Sequence, residues 1–168
     1  MKAGGLRAYI GLGSNLDDPV RQVRRAIVEL SSVRLTELAS YSSLYRSPPM
    51  GPSDQPDYIN AVAALDTGLD SDSLLAELQS IERRHGRKRT GKRWTARTLD
   101  LDLLVFGDMQ IDSRHLMVPH PGIRDRSFVL YPLAEIAHDL EIPGMGPIDR
   151  LLESCTSRDL RKLPSDDC

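Results

Sequence analysis

Thr98-Leu99-Asp100-Leu101-Asp102-Leu103-Leu104-Val105-Phe106 alternates leucine with aspartate and then closes on an unbroken apolar run. A period of two is the mark of a strand. It predicts Leu99, Leu101 and Leu103 on one face and Asp100 and Asp102 on the other. Upstream, Leu74, Leu75, Leu78 and Ile81 recur at helical spacing, and Gly86 suits the left-handed position just past that helix. Tyr58 to Leu65 reads as another strand, preceded by a loop from Arg46 to Asp57 that holds Pro48, Pro49, Gly51, Pro52 and Pro56. Leu35 to Tyr45 is a further strand. A helix carrying Val20, Val23, Ile27 and Leu30 comes before it, with Asp18 at the N-cap and Pro19 in the first turn. Arg7 to Leu12 is the first strand. Beyond the acidic strand lie a turn at Val118-Pro119-His120-Pro121 and a short helix over 126–137, despite Pro132.

The order is therefore β-α-β-β-α-β. Long crossovers join strands one and two, and three and four, while two and three connect directly. That order predicts an α+β, ferredoxin-like unit: an antiparallel sheet with the helices packed on one face. The 168 residues suit one domain, 1–168. A hydrophobic content of 40% and a charged content of 27% are those of a soluble protein. The net charge of −2 supplies no global field toward nucleic acid or membrane. Cys155 and Cys168 lack metal-ligand spacing and make no disulfide scaffold. No stretch has the length of a signal peptide or a membrane span, so a cytoplasmic location is expected.

Chemistry concentrates at the acidic strand. Asp100 and Asp102 on one face stand ~6–7 Å apart, from the rise per residue of a strand. Their repulsion costs about 2–3 kcal/mol at an effective dielectric of ~20, and a divalent cation would offset it. Magnesium is commonly held by one or two carboxylates plus phosphates and waters. The plainer reading is an acidic solvent face. Just upstream, eight cations fall within fifteen residues: Arg83, Arg84, Arg87, Lys88, Arg89, Lys92, Arg93 and Arg97. Forked guanidinium donors neutralise phosphate oxygens while a metal bridges others, as Mg·nucleotide chemistry requires.

Two glycine patterns are traps. Gly86 to Lys92 matches G-x-x-x-x-G-K, but Arg93 replaces the hydroxyl residue and the segment follows a helix, so a P-loop is rejected. Gly11-Leu12-Gly13 lacks the third glycine of a dinucleotide fingerprint, since residue 16 is Leu16. It reads as a turn bringing backbone close to a ligand. Tyr58 and Asn60 share a strand face, offering an aromatic plane beside an amide that presents both donor and acceptor. Phe128, beside Arg126, could supply a second plane, although each aromatic taken alone reads better as core. Trp94 among the cations is placed to anchor a closing loop. Taken alone, these residues describe a Mg·nucleotide-using transferase.

The segment Arg93-Trp94-Thr95-Ala96-Arg97-Thr98-Leu99-Asp100-Leu101-Asp102 resembles the signature of the hydroxymethyldihydropterin pyrophosphokinase family. So do Gly11-Leu12-Gly13-Ser14-Asn15, Tyr45-Arg46-Ser47-Pro48-Pro49-Met50-Gly51-Pro52, Asp54-Gln55-Pro56-Asp57-Tyr58-Ile59-Asn60, Val118-Pro119-His120-Pro121 and Arg126-Ser127-Phe128. The resemblance spans about residues 7 to 144, in order. It implies a monomer with a ferredoxin-like fold that binds Mg·ATP and then 6-hydroxymethyl-7,8-dihydropterin, whose hydroxyl attacks the β-phosphorus and releases AMP. It implies that Asp100 and Asp102 hold two magnesium ions, with Asp100 also near the attacking hydroxyl. Arg87 and Arg97 would meet phosphates, and Arg89 and Trp94 would close the catalytic loop. His120 and Arg126 would face the triphosphate, with Gln79 and Glu82 lining the same region. Tyr58 and Phe128 would sandwich the pterin, and Asn60 with the backbone at Ser47 and Met50 would read its edge. His115 and Met117 fall near the adenine pocket. Thr95 departs from the family's small Gly or Ala.

Two other classes compete. A ferredoxin-like RNA-binding module accounts for the fold and the basic loop but leaves Asp100 and Asp102 repelling phosphates. It also lacks a stacking ladder, since aromatics are 5% of the chain. A metal-dependent nuclease gives Tyr58, Asn60 and Phe128 no task. Small-molecule substrates are thus expected as partners, with no nucleic acid and no membrane.

Overall fold

The computed structural model of the protein describes residues 5–49, 55–86, 98–156 and 159–164. Its elements are β1 (Leu6–Ser14), α1 (Pro19–Leu30), β2 (Thr36–Tyr41), β3 (Tyr45–Ser47), β4 (Tyr58–Thr67), α2 (Ser71–Arg84) and β5 (Asp100–Phe106). There follow β6 (Ile111–Asp112), β7 (Met117–Val118), a 3₁₀ turn (Ile123–Asp125), α3 (Ser127–Ile136), β8 (Glu141–Ile142), β9 (Gly146–Pro147), α4 (Ile148–Glu153) and β10 (Arg161–Lys162). The main sheet runs β10-β3-β4-β1-β5, with β2 also on β4, and every pairing in it is antiparallel.

The expected apolar stripes meet the sheet. Val23, Ala26, Ile27 and Leu30 of α1 are buried, as are Leu74, Leu78 and Ile81 of α2. They pack on Ala8, Ile10 and Leu12 of β1, on Ile59, Ala61, Ala63 and Leu65 of β4, and on Leu101 and Leu103 of β5. Each fully buried leucine or isoleucine there contributes about 1.5–3 kcal/mol of transfer free energy.

The expectation that the helices keep to one face is corrected. A second cluster covers the opposite face: Tyr9, Val62, Ala64, Leu104 and Val105 pack under Val129, Leu130 and Leu133 of α3. The sheet is apolar on both sides over this half and has to be covered on both. The predicted strand 35–45 is also two strands, and Arg46 and Ser47 belong to the second of them rather than to the proline loop. Between the two strands Ser42 takes over part of the ladder. Its N–H donates to Val62 O at 2.8 Å, and its hydroxyl accepts from Val62 N at 2.9 Å. Asp18 does precede α1, but in the left-handed region (φ 63°), and its side chain makes no cap bond. Asp70 caps α2 instead, accepting from Ser73 N at 2.8 Å. Gly86 follows α2 with φ 83°, as expected of a C′ residue.

The acidic strand begins at Asp100 and contains a bulge. Tyr9 faces Val105 and Ile10 faces Leu103, so Leu104 is one residue more than β1 can match. Alternation holds as far as Leu103 and then shifts. Leu104 and Val105 both join the α3 side, and Phe106 returns to the α1/α2 side.

Candidate active site

The register of the sheet gathers the expected residues into rows. Gly13 of β1 lies opposite Asn60 on one side and Asp100 on the other, and Gly11 lies opposite Val62 and Asp102. Directly opposed residues share a face. Tyr58, Asn60, Gly11, Gly13, Asp100 and Asp102 therefore all lie on the α3 side of the sheet, beyond the half that α3 covers. Tyr45 and Ser47 join them through their pairing with Asn60 and Tyr58. With glycine at both central positions, bare backbone separates the amide from the carboxylates. The gap from Asn60 to Asp100 is two strand spacings, ~10 Å.

Asn60 is buried, and its amide nitrogen donates to Ser47 Oγ at 2.8 Å and to Tyr45 O at 3.4 Å. Both amide hydrogens are thereby spent on β3. The carbonyl oxygen points to β1, where a Cβ on Gly13 would come within 3.4 Å of it. Tyr58, Asp100 and Asp102 are half-buried on this face.

His120 is tied to the bulge by its own N–H, which donates to Leu104 O at 2.8 Å. Its Nδ1 accepts from Gly122 N at 3.0 Å, so the neutral ring carries its proton on Nε2. Burial is the main cause holding His120 below the usual histidine range. The positive charge of Arg126 adds to it, and Asp100 opposes it. Arg126 reaches across to Phe128, its guanidinium carbon 6.0 Å from the ring centroid. Among the expected site residues, Gln79 lies half-buried on α2. His115 and Met117 are exposed, the first with its ring 3.3 Å from Asp72 Oδ1. Met50, Arg87, Arg89, Trp94 and Arg97 lie outside the described residues.

The depressed affinity of His120 for protons has a sign. The folded ring stays neutral where the unfolded ring, below about pH 6.5, gains a proton. The unfolded state then binds more protons, so stability falls as the pH drops through that value. The melting temperature of the ligand-free protein is expected to decline from about pH 7 to about pH 5.5, and less steeply in His120→Asn. An unchanged slope in that variant would count against the assignment.

Glu82, expected beside Gln79, is joined by contributors that were not foreseen. Glu82 is 3% exposed, and its carboxylate accepts from Leu101 N at 2.8 Å, on the edge of β5 between the two aspartates. Asn15 ties the end of β1 to the proline loop, donating to Gln55 Oε1 at 3.2 Å and Pro56 O at 3.0 Å. The His85 ring is wholly buried, with its nitrogens against oxygens of Gln22 and Glu29. Glu82 and Asn15 were both marked by the resemblance, Asn15 inside Gly11-Leu12-Gly13-Ser14-Asn15, whereas His85 left no sequence signal.

The carboxylates fit a magnesium ion as far as they go. Two oxygen-bearing side chains share a face beside backbone that carries no Cβ. Among the described residues no third His, Cys, Asp or Glu completes a set, so phosphates and waters would have to supply the rest. No helix among the described residues is long and apolar enough to cross a membrane.

Residues 9–138 match the family model of 7,8-dihydro-6-hydroxymethylpterin-pyrophosphokinase. A Haemophilus influenzae 2-amino-4-hydroxy-6-hydroxymethyldihydropteridine pyrophosphokinase is 46% identical over 158 residues, covering 94% of this chain and 98% of its own. Its Pseudomonas aeruginosa counterpart is 46% identical over 158 residues, covering 94% and 97%. Among solved structures, a Plasmodium falciparum HPPK-DHPS superposes with a TM-score of 0.70 at 13% identity, over 89% of this chain and 43% of that one. At that identity the likeness is one of fold, and this chain spans less than half of the longer protein.

Proposed function

The chain belongs to the 7,8-dihydro-6-hydroxymethylpterin-pyrophosphokinase family, and on that premise we propose how its residues share the work. The activity is transfer of diphosphate from ATP to 6-hydroxymethyl-7,8-dihydropterin in folate biosynthesis. The observation that carries the residue assignment is the row Asn60–Gly13–Asp100, which sets an amide and a carboxylate on one face with open backbone between them.

The pterin edge lies against Asn60 and Ser47, with its ring between Tyr58 and Phe128. Asn60 offers its carbonyl oxygen, and Ser47, already accepting from Asn60, keeps its hydroxyl proton to give. Met50 contributes backbone to the same edge. The hydroxymethyl arm then extends over Gly13 toward Asp100. Asp100 and Asp102 would hold magnesium, which supplies charge neutralisation on the phosphate oxygens when bound. Two ions match the family pattern. His120, neutral with its proton on Nε2, donates to a triphosphate oxygen, and Arg126 adds positive charge beside it. Arg87, Arg89, Trp94 and Arg97 act on the phosphates from the basic segment, and Gln79 contacts the nucleotide from α2.

In the transfer itself the pterin hydroxyl oxygen bonds to the β-phosphorus and releases its proton to solvent, the bond from that phosphorus to the α,β-bridging oxygen breaks, and AMP departs. Such transfers run mainly on alignment and charge neutralisation. The core strands β5-β1-β4 with β2 and β3 on the far edge, joined through α1 and α2, support a ferredoxin-like core carrying an added layer. We read residues 1–168 as one such domain, monomeric and cytoplasmic.

Product analysis tests the reading. Mixing the protein with Mg·ATP and 6-hydroxymethyl-7,8-dihydropterin is expected to give AMP and the pterin diphosphate in equal amounts. ADP as the nucleotide product would overturn attack at the β-phosphorus.

A further inference from the structure

Glu135, near the end of α3, is joined by hydrogen bonds to one short stretch of chain. Its carboxylate accepts from Ser43 N at 3.1 Å on each oxygen, from Ser43 Oγ at 2.9 Å and from Tyr45 OH at 2.6 Å. Lys162 Nζ of β10 lies 3.9 Å away. Burial is the largest single influence and pushes the carboxyl up, but these hydrogen bonds and the charge of Lys162 together outweigh it and hold the group below its usual range. Burial first, and then the carboxylate, raises the Tyr45 phenol, so Tyr45 remains a donor.

This attachment falls where the sheet is weakest. β3 has three residues and its outer neighbour β10 only two, too few for the ladder to set register firmly. Yet β3 orients the Asn60 amide, through Tyr45 O and Ser47 Oγ. Were β3 to shift, those acceptors would move and the Asn60 carbonyl would lose its fixed direction. The same helix carries Phe128 seven residues before Glu135, two turns away on one side of α3. One rigid element thus bears an aromatic wall at one end and the strand's anchor at the other.

We propose that Glu135 is a positioning residue for pterin recognition, acting through Ser43 and Tyr45 to hold β3 and so keep the Asn60 carbonyl turned toward Gly13 of β1. The role rests on the reading of Asn60 and Ser47 as the residues that meet the pterin edge. It concerns the pterin alone, because among the described residues the partners of Glu135 are Ser43, Tyr45 and Lys162, on or beside β3 and away from Asp100, Asp102 and His120.

The test compares Glu135→Gln, Tyr45→Phe, Asn60→Ala and the double variant Glu135→Gln/Asn60→Ala in steady-state kinetics. Glu135→Gln is expected to raise KM for 6-hydroxymethyl-7,8-dihydropterin about tenfold, as when one charged hydrogen-bonding group is neutralised. The KM for ATP and kcat should stay within about twofold. Tyr45→Phe, which removes one hydroxyl, should shift the same constant in the same direction by about threefold. On the Asn60→Ala background, Glu135→Gln should add clearly less than it does alone, since only the part of its effect that passes through Ser47 remains. A pterin KM unchanged in Glu135→Gln, equal rises for both substrates, or full additivity in the double variant would each overturn the role of Glu135. If Asn60→Ala weakens pterin while Glu135→Gln does not, the Asn60 assignment stands and only the positioning role falls. If Asn60→Ala leaves pterin KM untouched, the edge assignment falls and takes this role with it.

Discussion

Asp102→Ala should lower turnover by about a thousandfold or more, the scale of several kcal/mol of lost charge neutralisation at a phosphoryl centre. Asp102 lies half-buried beside Gly11, on the sheet face that α3 leaves open. Its loss opens no cavity in either apolar cluster and removes one of two like charges spaced along a strand. The fold should therefore persist, as judged by near-ultraviolet circular dichroism and melting temperature, while product formation stops. Added magnesium should not restore activity. Near-normal turnover in this variant would end the reading of the two carboxylates as a metal site.

The second large effect is expected at a residue with no side chain. A Cβ on Gly13 would stand 3.4 Å from Asn60 Oδ1 and 3.8 Å from a ring carbon of Tyr58, ordinary contact distances in the folded protein. Gly13→Val should therefore fold, with valine's preference for strands in its favour. Its methyl groups would fill the space between Asn60 and Asp100, where the hydroxymethyl arm is proposed to run. A displacement of about 1 Å at a reacting centre is enough to cost ~10²-fold, so kcat/KM should fall by about that factor or more. The melting temperature should move only slightly. A fully active Gly13→Val enzyme would mean that no ligand crosses β1 at this row.

How much of this was legible in the residues depends on the kind of signal. Asp100 and Asp102 stand out because charge recurs every second residue in an apolar strand, and Tyr58 with Asn60 by the same period. The stripes of α1 and α2 were equally plain, for each buries one side only. The second layer was not. Phe128 to Ala134 is apolar without a break, so α3 shows no polar side to set against its buried one and its docking face could not be read from spacing. The bulge was hidden for a related reason. Leu103-Leu104-Val105-Phe106 is apolar throughout, and only the partner strand reveals that one residue is extra. Glu135 stands in no motif of the sequence. Its partners Ser43 and Tyr45 are about ninety residues earlier in the chain, and no local pattern announces such a contact. The break between β2 and β3 depends likewise on Ser42 meeting Val62, a long-range pairing.

The extra residue at Leu104 divides β5 into two halves that obey opposite parity. Before it, odd-numbered residues serve the α1/α2 layer; after it, even-numbered ones do. The acidic half can thus change at its open face while the apolar half changes under the demands of packing, without either dictating the other's composition. Length is what the strand can vary at one place only. Deleting Leu104 would restore plain alternation and leave Leu103 and Phe106 on the α1/α2 side and Val105 on the α3 side, at the cost of one buried leucine. A deletion within the acidic half, with the bulge kept, would instead put one part of β5 on the wrong faces.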